Sequence, residues 1–295
     1  MDYVQNKKNY SKGIKTLVLF FPAILLISGL FLGPMLMTVY YSLTNISLTG
    51  QAAQSAHFVG LKNFTDAFND PNLGKIIRNT IVFLLFSGII GQQCFGFFLA
   101  SLMKKRNKHV RRFVGFSVVI GWITPEIVAA FMFTAYFADK GTLNMFLKTF
   151  GAGPISWLFS YPMLSVIIAN IWKGSAYSMM MFQAALDNIP DEIIESAKID
   201  GANFFQILTD ITIPLIKGTF AITFIVVTLG TIGAFGLVFA LTGGGPGVAS
   251  TTLAIYMYLK AFSSYQIGYG MAIALFLLLL GVVLSLVYMK AIKSE

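Results

Sequence analysis

The sequence has 295 residues, of which 56% are hydrophobic and only 11% are charged. Soluble domains carry charge on about a quarter of their residues, so this composition indicates a membrane protein. The formal net charge is +9, but the basic residues lie between apolar stretches, which favours a topological role over nucleic-acid binding. A single cysteine, Cys94, excludes a disulfide framework and a cysteine-based metal site, and His57 and His109 lie in loops without a cluster of ligands.

Six stretches are long and apolar enough to cross a bilayer, which takes about 20 residues of helix. The third contains Glu126 as its one charge, and the fourth contains only Lys173. Helices are favoured over a β-barrel, because these runs are continuous and apolar rather than short and alternating. The sequence therefore predicts an all-α, polytopic permease domain over residues 1–295. Its predicted spans are 17–42, 79–103, 113–138, 162–186, 218–242 and 267–289.

The first span follows four lysines, as the core of a secretory signal would. Its uncharged run from Leu17 to Ser42 is longer than the ~7–15 apolar residues of a signal core. We therefore expect a retained first helix.

Lysine and arginine are divided unequally between the two sides of six alternating helices. One side carries fourteen, including four before the first span, and the other carries six. This asymmetry predicts that both ends of the chain are cytoplasmic. The basic loop 104–112 is interpreted as a stop signal that also contacts anionic head groups, with docking of a protein partner as the alternative. The four N-terminal cations are Lys7, Lys8, Lys12 and Lys15.

The cytoplasmic segment 187–217 reads as two short helices joined by a turn. Pro190 suits a first helical turn, and Gly201 suits a left-handed helix end. The residues 203–206 resemble a capping pattern for a second helix, which we expect to end before Pro214. Taken together, the two helices are partly apolar and rich in acid. Anionic head groups would repel such a pair, so a protein partner is a better fit than the membrane surface.

The same segment carries a specific motif. Glu195-Ser196-Ala197 is followed after three residues by Gly201, and after nine more by Ile211-Thr212-Ile213-Pro214. This spacing resembles the EAA loop of ABC-importer permeases: E-A-A, three residues, G, nine residues, I-x-L-P. Ser196 replaces an alanine and Ile213 replaces the leucine. The resemblance implies the type I importer fold, with cytoplasmic coupling helices seated in a groove of a separate ATP-hydrolysing subunit.

By that resemblance, the motif also assigns residue roles. Glu195 would contact a basic residue of the ATPase, and Gly201 would permit the turn between the helices. ATP and Mg would bind to two partner subunits, because this chain carries no Walker pattern and is expected to bind no cofactor itself. The residues expected to couple to the ATPase are Glu195, Ser196, Ala197, Asp200, Gly201, Ile211 and Pro214.

Two further stretches resemble the carbohydrate-uptake branch of the family. One comprises 184–190 with 197–202, and the other comprises 242–246 with the residues that follow, up to Tyr256. The second is similar to the maltose-permease-F-like half of a permease pair. The resemblance implies a sugar substrate, a second homologous permease in a heterodimer, an extracellular or periplasmic binding protein, and a bacterial inner membrane.

Polar residues inside the spans are candidates for the substrate path, since a charge deep in a membrane costs ~2.5–3.5 kcal/mol. Glu126 and Lys173 have opposite signs and similar predicted depths, so they could form a buried ion pair or line the path. Asn170, Trp172 and Tyr177 flank Lys173 in sequence. They are candidates for sugar contact, with core packing and bonding between helices as the alternative.

Three other functions compete with that of a sugar importer. An ABC permease for a different solute would share every feature of the coupling loop. A proton-coupled secondary transporter would use Glu126 and Lys173 as a relay, but it would have no need of the 187–217 segment. An intramembrane enzyme is disfavoured, since the sequence shows no nucleophile–base or metal constellation.

Overall fold

The computed structural model describes residues 19–293, so the four N-terminal lysines lie outside the described residues. Every regular element in this range is helical, apart from an isolated bridge between Thr44 and Phe58. The helices used below are α1 (Leu19–Ser42), α2 (Lys62–Phe68), α3 (Leu73–Met103), α4 (Lys108–Ile123), α5 (Glu126–Phe137), α6 (Pro162–Asp187), α7 (Asp191–Ile199), α8 (Phe204–Leu215), α9 (Lys217–Ile232), α10 (Gly236–Thr242), α11 (Leu253–Tyr258) and α12 (Ile267–Lys293).

Three helices are each long and apolar enough to cross a membrane: α1, α3 and α12. They correspond to the predicted spans 17–42, 79–103 and 267–289, except that residues 17 and 18 lie outside the described range. Two bent helix pairs raise the number to as many as five. Helix α6 has the length, at 26 residues, but is less apolar, and twelve of its side chains are buried in the protein. A total of six spans stays a prediction.

The predicted span 113–138 is wrong as a single helix. It breaks between α4 and α5, and the chain bends by 106° between Lys108–Ile123 and Glu126–Lys148. The break falls at Thr124 and Pro125, and both have extended ψ angles, of 126° and 142°. Proline disfavours helical backbone at the residue before it and cannot donate a backbone hydrogen bond, so the helix stops here. Glu126 consequently lies in the first turn of α5 rather than in the middle of a continuous helix.

The predicted span 218–242 is also interrupted. Helix α9 ends at Ile232, and α10 begins at Gly236. Glycine is among the weakest helix formers, and Gly233 and Gly236 flank the break. An apolar run shows that a segment can lie in a membrane, but it does not show that the helix is continuous.

The described chain divides into two compact units. The first comprises residues up to Phe68 together with Leu259–Leu275. Within it, the buried side chain of Asn63 donates to the carbonyls of Ser42 and Thr44, each at 2.8 Å. These bonds satisfy carbonyls at the end of α1, which have no partner within the helix.

The second unit comprises Asn69–Tyr258 with the chain from Phe276 onward, and α6 is its central helix. Helices α3 and α6 approach closely at glycines. A Cβ added to Gly96 would lie 2.5 Å from the Cβ of Ser178 and 2.8 Å from the backbone nitrogen of Met179. Small residues at such contacts are the usual means of packing helices in membranes.

We expect Gly96→Ala to destabilise the chain by about 1–3 kcal/mol, because the new methyl group overlaps the backbone of α6. Gly115→Ala is the matched control, since a Cβ at Gly115 in α4 meets no atom within 4 Å. The control should be neutral or slightly stabilising. Thermal unfolding of the purified chain in detergent measures both, and equal stability of the two variants would contradict the close contact.

Candidate coupling surface and helix-break site

The segment 187–217 folds as the predicted helix, glycine turn and helix. Helix α7 follows Pro190 and ends at Ile199, and Gly201 has a φ of +84°, which favours glycine. Asn203 and Gln206 form a reciprocal capping box at 2.8 and 3.0 Å. Each side chain bonds the other's backbone N–H at the start of α8, so the second helix starts where the capping pattern predicts.

The end of the second helix was predicted incorrectly. Helix α8 does not stop before Pro214 but runs through it to Leu215. A prolyl ring clashes with the carbonyl four residues earlier in a regular α-helix. Here the preceding stretch, Ile207–Thr212, is a wider π-helix, and this wider turn accommodates Pro214. The chain then bends by 71° into α9.

One face of the coupling hairpin, which we define as α7, α8 and the turn between them, is packed against the ends of the long helices. Ile194 and Ala197 are each only 9% exposed. Ile194 belongs to an apolar cluster with Met103, Phe182 and Ile216, which come from α3, α6 and the start of α9. A displacement of α7 would therefore act on three helix ends at once.

The opposite face of the hairpin is exposed and carries both acid and large apolar groups. Ile199 is 86% exposed, and Phe204 and Phe205 are 71% and 73% exposed. Isolated apolar side chains on a surface need no explanation, but a cluster of large ones beside carboxylates indicates a protein interface. The motif residues divide between the faces: Glu195, Ser196, Asp200, Gly201 and Pro214 are exposed, whereas Ala197 is buried and Ile211 packs on the apolar cluster.

The basic segment 104–112, which the structure places in α4 from Lys108 onward, is tied to the start of the segment 187–217 by an ion pair. The guanidinium of Arg111 bonds the carboxylate of Asp187, the last residue of α6. Both side chains are about one-third exposed, so the pair orients the two elements more than it stabilises the fold.

Lys173 caps the broken end of α4. Its Nζ donates to the carbonyl of Thr124 at 2.6 Å and to that of Trp122 at 3.4 Å. These carbonyls lie where α4 stops and have no amide partner further along the helix. A cation at the negative end of a helix is also favoured by the helix dipole.

Glu126 satisfies a backbone donor at the second break, whereas Lys173 satisfies backbone acceptors at the first. Its Oε2 accepts a hydrogen bond from the backbone N–H of Leu237 at 3.1 Å, in the first turn of α10. A Cβ on Gly236 would overlap this carboxylate, so glycine is required for the approach. Among residues 19–293, Glu126 and Lys173 form no ion pair with each other. The two charges instead bind backbone groups freed by two separate helix breaks.

An apolar cavity of about 560 Å³ lies beside the break, between α3, α5 and α6. Trp172 lines it with Phe133 and Tyr136, and the rings of Trp172 and Phe133 meet edge to face at 5.5 Å. Tyr177 lies outside this lining and contacts the ring of Trp122 at 6.5 Å. The sequence analysis did not include Phe133 and Tyr136 among the candidates for the substrate path, because their residue types gave no reason to select them. Pro125, which sets the direction of the helix that carries them, was a signal present in the sequence.

Asn170, the remaining candidate of the predicted substrate path, is directed between helices. It is 8% exposed, and its Nδ2 donates to Ser87 Oγ of α3 at 2.8 Å. This contact matches the helix-bonding alternative for Asn170.

The glycine-rich stretch after α10 forms a closed loop. Gly243, Gly244 and Gly247 have φ angles between +59° and +89°. Thr251 Oγ1 donates to the carbonyl of Gly244, and Asn79 Nδ2 donates to that of Val248, each at 2.8 Å. The loop is therefore held to α3 by side-chain bonds to its own carbonyls.

The chain is similar in fold to a solved transporter structure. A solved structure of a bacterial alginate ABC transporter, in complex with alginate pentasaccharide-bound periplasmic protein, has a TM-score of 0.78 at 20% identity. The match covers 95% of this chain and 94% of the other, and it shows that the two share a fold.

Relatives in sequence identify the family to which the chain belongs. The chain is 30% identical to the sulfoquinovosyl glycerol transport system permease protein SmoG of Agrobacterium fabrum, over 93% of this chain and 89% of the relative. It is 31% identical to the trehalose/maltose transport system permease protein MalF of Thermococcus litoralis, over 79% of each chain. The family described as binding-protein-dependent transport system inner membrane component matches residues 94–292. The chain belongs to this family, and it is a transport subunit rather than an enzyme.

The role of Glu126 as an acceptor can be separated from its charge. Glu126→Gln keeps an oxygen that can accept from Leu237, so we expect a small change in stability. Glu126→Leu leaves that amide without an acceptor and should cost about 1–3 kcal/mol. Thermal unfolding of the purified chain distinguishes them. Equal losses in both variants would show that charge, and not the hydrogen bond, is what matters.

Proposed function

We propose that this chain is the membrane-spanning subunit of an ATP-driven importer that moves a sugar or oligosaccharide into the cytoplasm. The observation that carries the coupling role is the hairpin α7–α8, whose exposed face bears Glu195 beside large apolar groups. The sugar assignment is supported by the relatives named for sugar and sugar-glycoside transport.

The coupling mechanism follows from the two faces of the hairpin. The exposed face would sit in a groove of an ATP-hydrolysing subunit, with Glu195 against a basic residue. The buried face is packed through Ile194 on α3, α6 and α9. Closure of two ATPase subunits around ATP and Mg would displace the hairpin, and the apolar cluster would carry that displacement into the membrane helices.

Two further partners complete the importer. A binding protein would deliver the substrate, in keeping with the family description. A second, homologous permease would form a heterodimer with this chain. The most apolar stretch of α1 has no buried residue within the chain, so lipid or a second permease has to cover it. Both termini would be cytoplasmic in the bacterial inner membrane, which puts the hairpin on the side where ATP is available.

The substrate path is assigned to the region of the helix breaks. Backbone that is not helical is tolerated at membrane depth only where protein buries it or a water-filled cavity solvates it. The aromatic cavity beside the break has the size of a small-molecule site and offers ring faces at Trp172 and Phe133. Lys173 and Glu126 would then shape the path by fixing the helix ends, rather than act as a proton relay.

Charge reversal on the exposed face tests the coupling role. We expect Glu195→Lys to weaken association with the ATPase on the order of 100-fold, as buried interfacial charges typically contribute 2–5 kcal/mol. Gly201→Pro should act in the same way, because φ of +84° is closed to proline.

The control is Glu192→Lys, an exposed carboxylate in the first turn of the same helix. Co-purification of the ATPase with each folded variant measures the effect. Normal recovery of the ATPase with Glu195→Lys would show that Glu195 does not lie in the interface.

The cargo is tested on the whole complex in lipid discs, with its ATPase, second permease and binding protein, across a panel of glycans. We expect one glycan class to stimulate ATP hydrolysis several-fold, because substrate-loaded binding protein promotes ATPase closure. Denatured binding protein is the control. If no glycan stimulates ATP hydrolysis by the assembled complex, the importer assignment stands and sugar is rejected as the cargo.

A further inference from the structure

A second cavity, of about 720 Å³, lies between the last turns of α3 and the coupling hairpin. Its lining changes character along its length. Phe97 and Phe98 line it from the apolar span of α3, and Lys104 and Lys105 line it from just after the end of that helix. Phe97 and Lys105 are eight positions apart in the sequence, and α3 ends between them at Met103. The cavity is therefore lined both by apolar residues of a helix long enough to cross a membrane and by cations that follow the end of that helix.

The hairpin supplies the other wall. Lys198 of α7 adds a third ammonium group, and Ile194 and Leu208 continue the apolar surface. Phe204 of the exposed face also lines the cavity, so the cavity adjoins that face. Within residues 19–293, none of these three lysines is bonded to a carboxylate. Three cations that line one cavity without carboxylate partners favour an anionic ligand there.

We propose that this cavity binds an anionic diacyl phospholipid. The phosphate would lie among Lys104, Lys105 and Lys198, and an acyl chain would lie along Phe98 and Leu208. Basic pockets at the ends of membrane helices recognise acidic head groups in this way. The ATPase fits the cavity poorly, because a water-soluble protein cannot reach the apolar lining from the membrane-spanning part of α3.

The site has a mechanical consequence. Its cations come from two elements of the chain: the end of α3 supplies two, and α7 supplies one. A bound phosphate would bridge them and hold α7 against the membrane helices. This inference does not depend on which solute is carried.

Native mass spectrometry of the purified full chain tests the proposal. Phosphatidylglycerol and phosphatidylcholine with identical acyl chains are titrated separately. We expect phosphatidylglycerol to be retained more tightly. The combined variant Lys104→Gln, Lys105→Gln and Lys198→Gln should weaken its retention about 100-fold, since each cation near a lipid surface contributes close to a factor of five.

The matched control is Arg106→Gln, Lys108→Gln and Arg112→Gln, which removes the same charge from the same side of the chain but outside the cavity lining. It should change retention less than threefold. Leu208→Trp keeps all six cations and narrows the apolar part of the cavity, and it should also reduce retention.

Four outcomes would overturn the proposal. Equal binding of the two lipids would remove the charge preference, and equal losses in the two triple variants would indicate general surface attraction. An unchanged Leu208→Trp variant would show that the cavity is not entered. Displacement of the lipid by added ATPase, with loss of ATPase binding in the lysine variant, would assign the cavity to the protein interface.

Discussion

Backbone groups that are freed where a helix stops in apolar surroundings must find partners, and this constraint organises the centre of the second unit. Two apolar runs break, at Thr124–Pro125 and between Ile232 and Gly236. The break after α4 leaves carbonyls, which Lys173 satisfies, and the break before α10 leaves an amide, which Glu126 satisfies. An unsatisfied buried group would cost about 1–3 kcal/mol, so each charge offsets part of its own burial by removing that penalty.

The same constraint explains why α6 is less apolar than a typical span. It is the helix that others pack around, so its side chains meet protein instead of lipid. Asn170 bonds Ser87 of α3, and Lys173 bonds α4, while Gly174 admits the side chain of Gln92. Asn170 and Lys173 are tolerated on this helix because each has a defined partner. The lower hydropathy of α6 is thus a consequence of its central position.

Local features were predictable from sequence, and features that depend on distant contacts were not. The capping box, the glycine turn and the start of α7 are encoded within a few residues, and the structure confirms them. The continuity of the third and fifth spans was wrong, since absence of charge is compatible with both intact and broken helices. Pro125 was a visible signal for one break. The partners of Glu126 lie more than a hundred residues away in α10, and one sequence contains no measure of that proximity.

Helix α6 connects the two regions that the proposed mechanism requires. Asp187 closes the helix immediately before the hairpin, and Lys173 lies fourteen residues earlier, about 21 Å along the axis. A regular helix moves as a rigid body over such a distance, so a displacement at the apolar cluster of Phe182 and Ile194 reaches the carbonyls held by Lys173. The bonds at the breaks are few and directional, whereas packing along α6 is extensive. The breaks are therefore the points at which the arrangement of helices can change with the least loss of contact, and this is where a substrate path opened by ATP binding elsewhere would have to form.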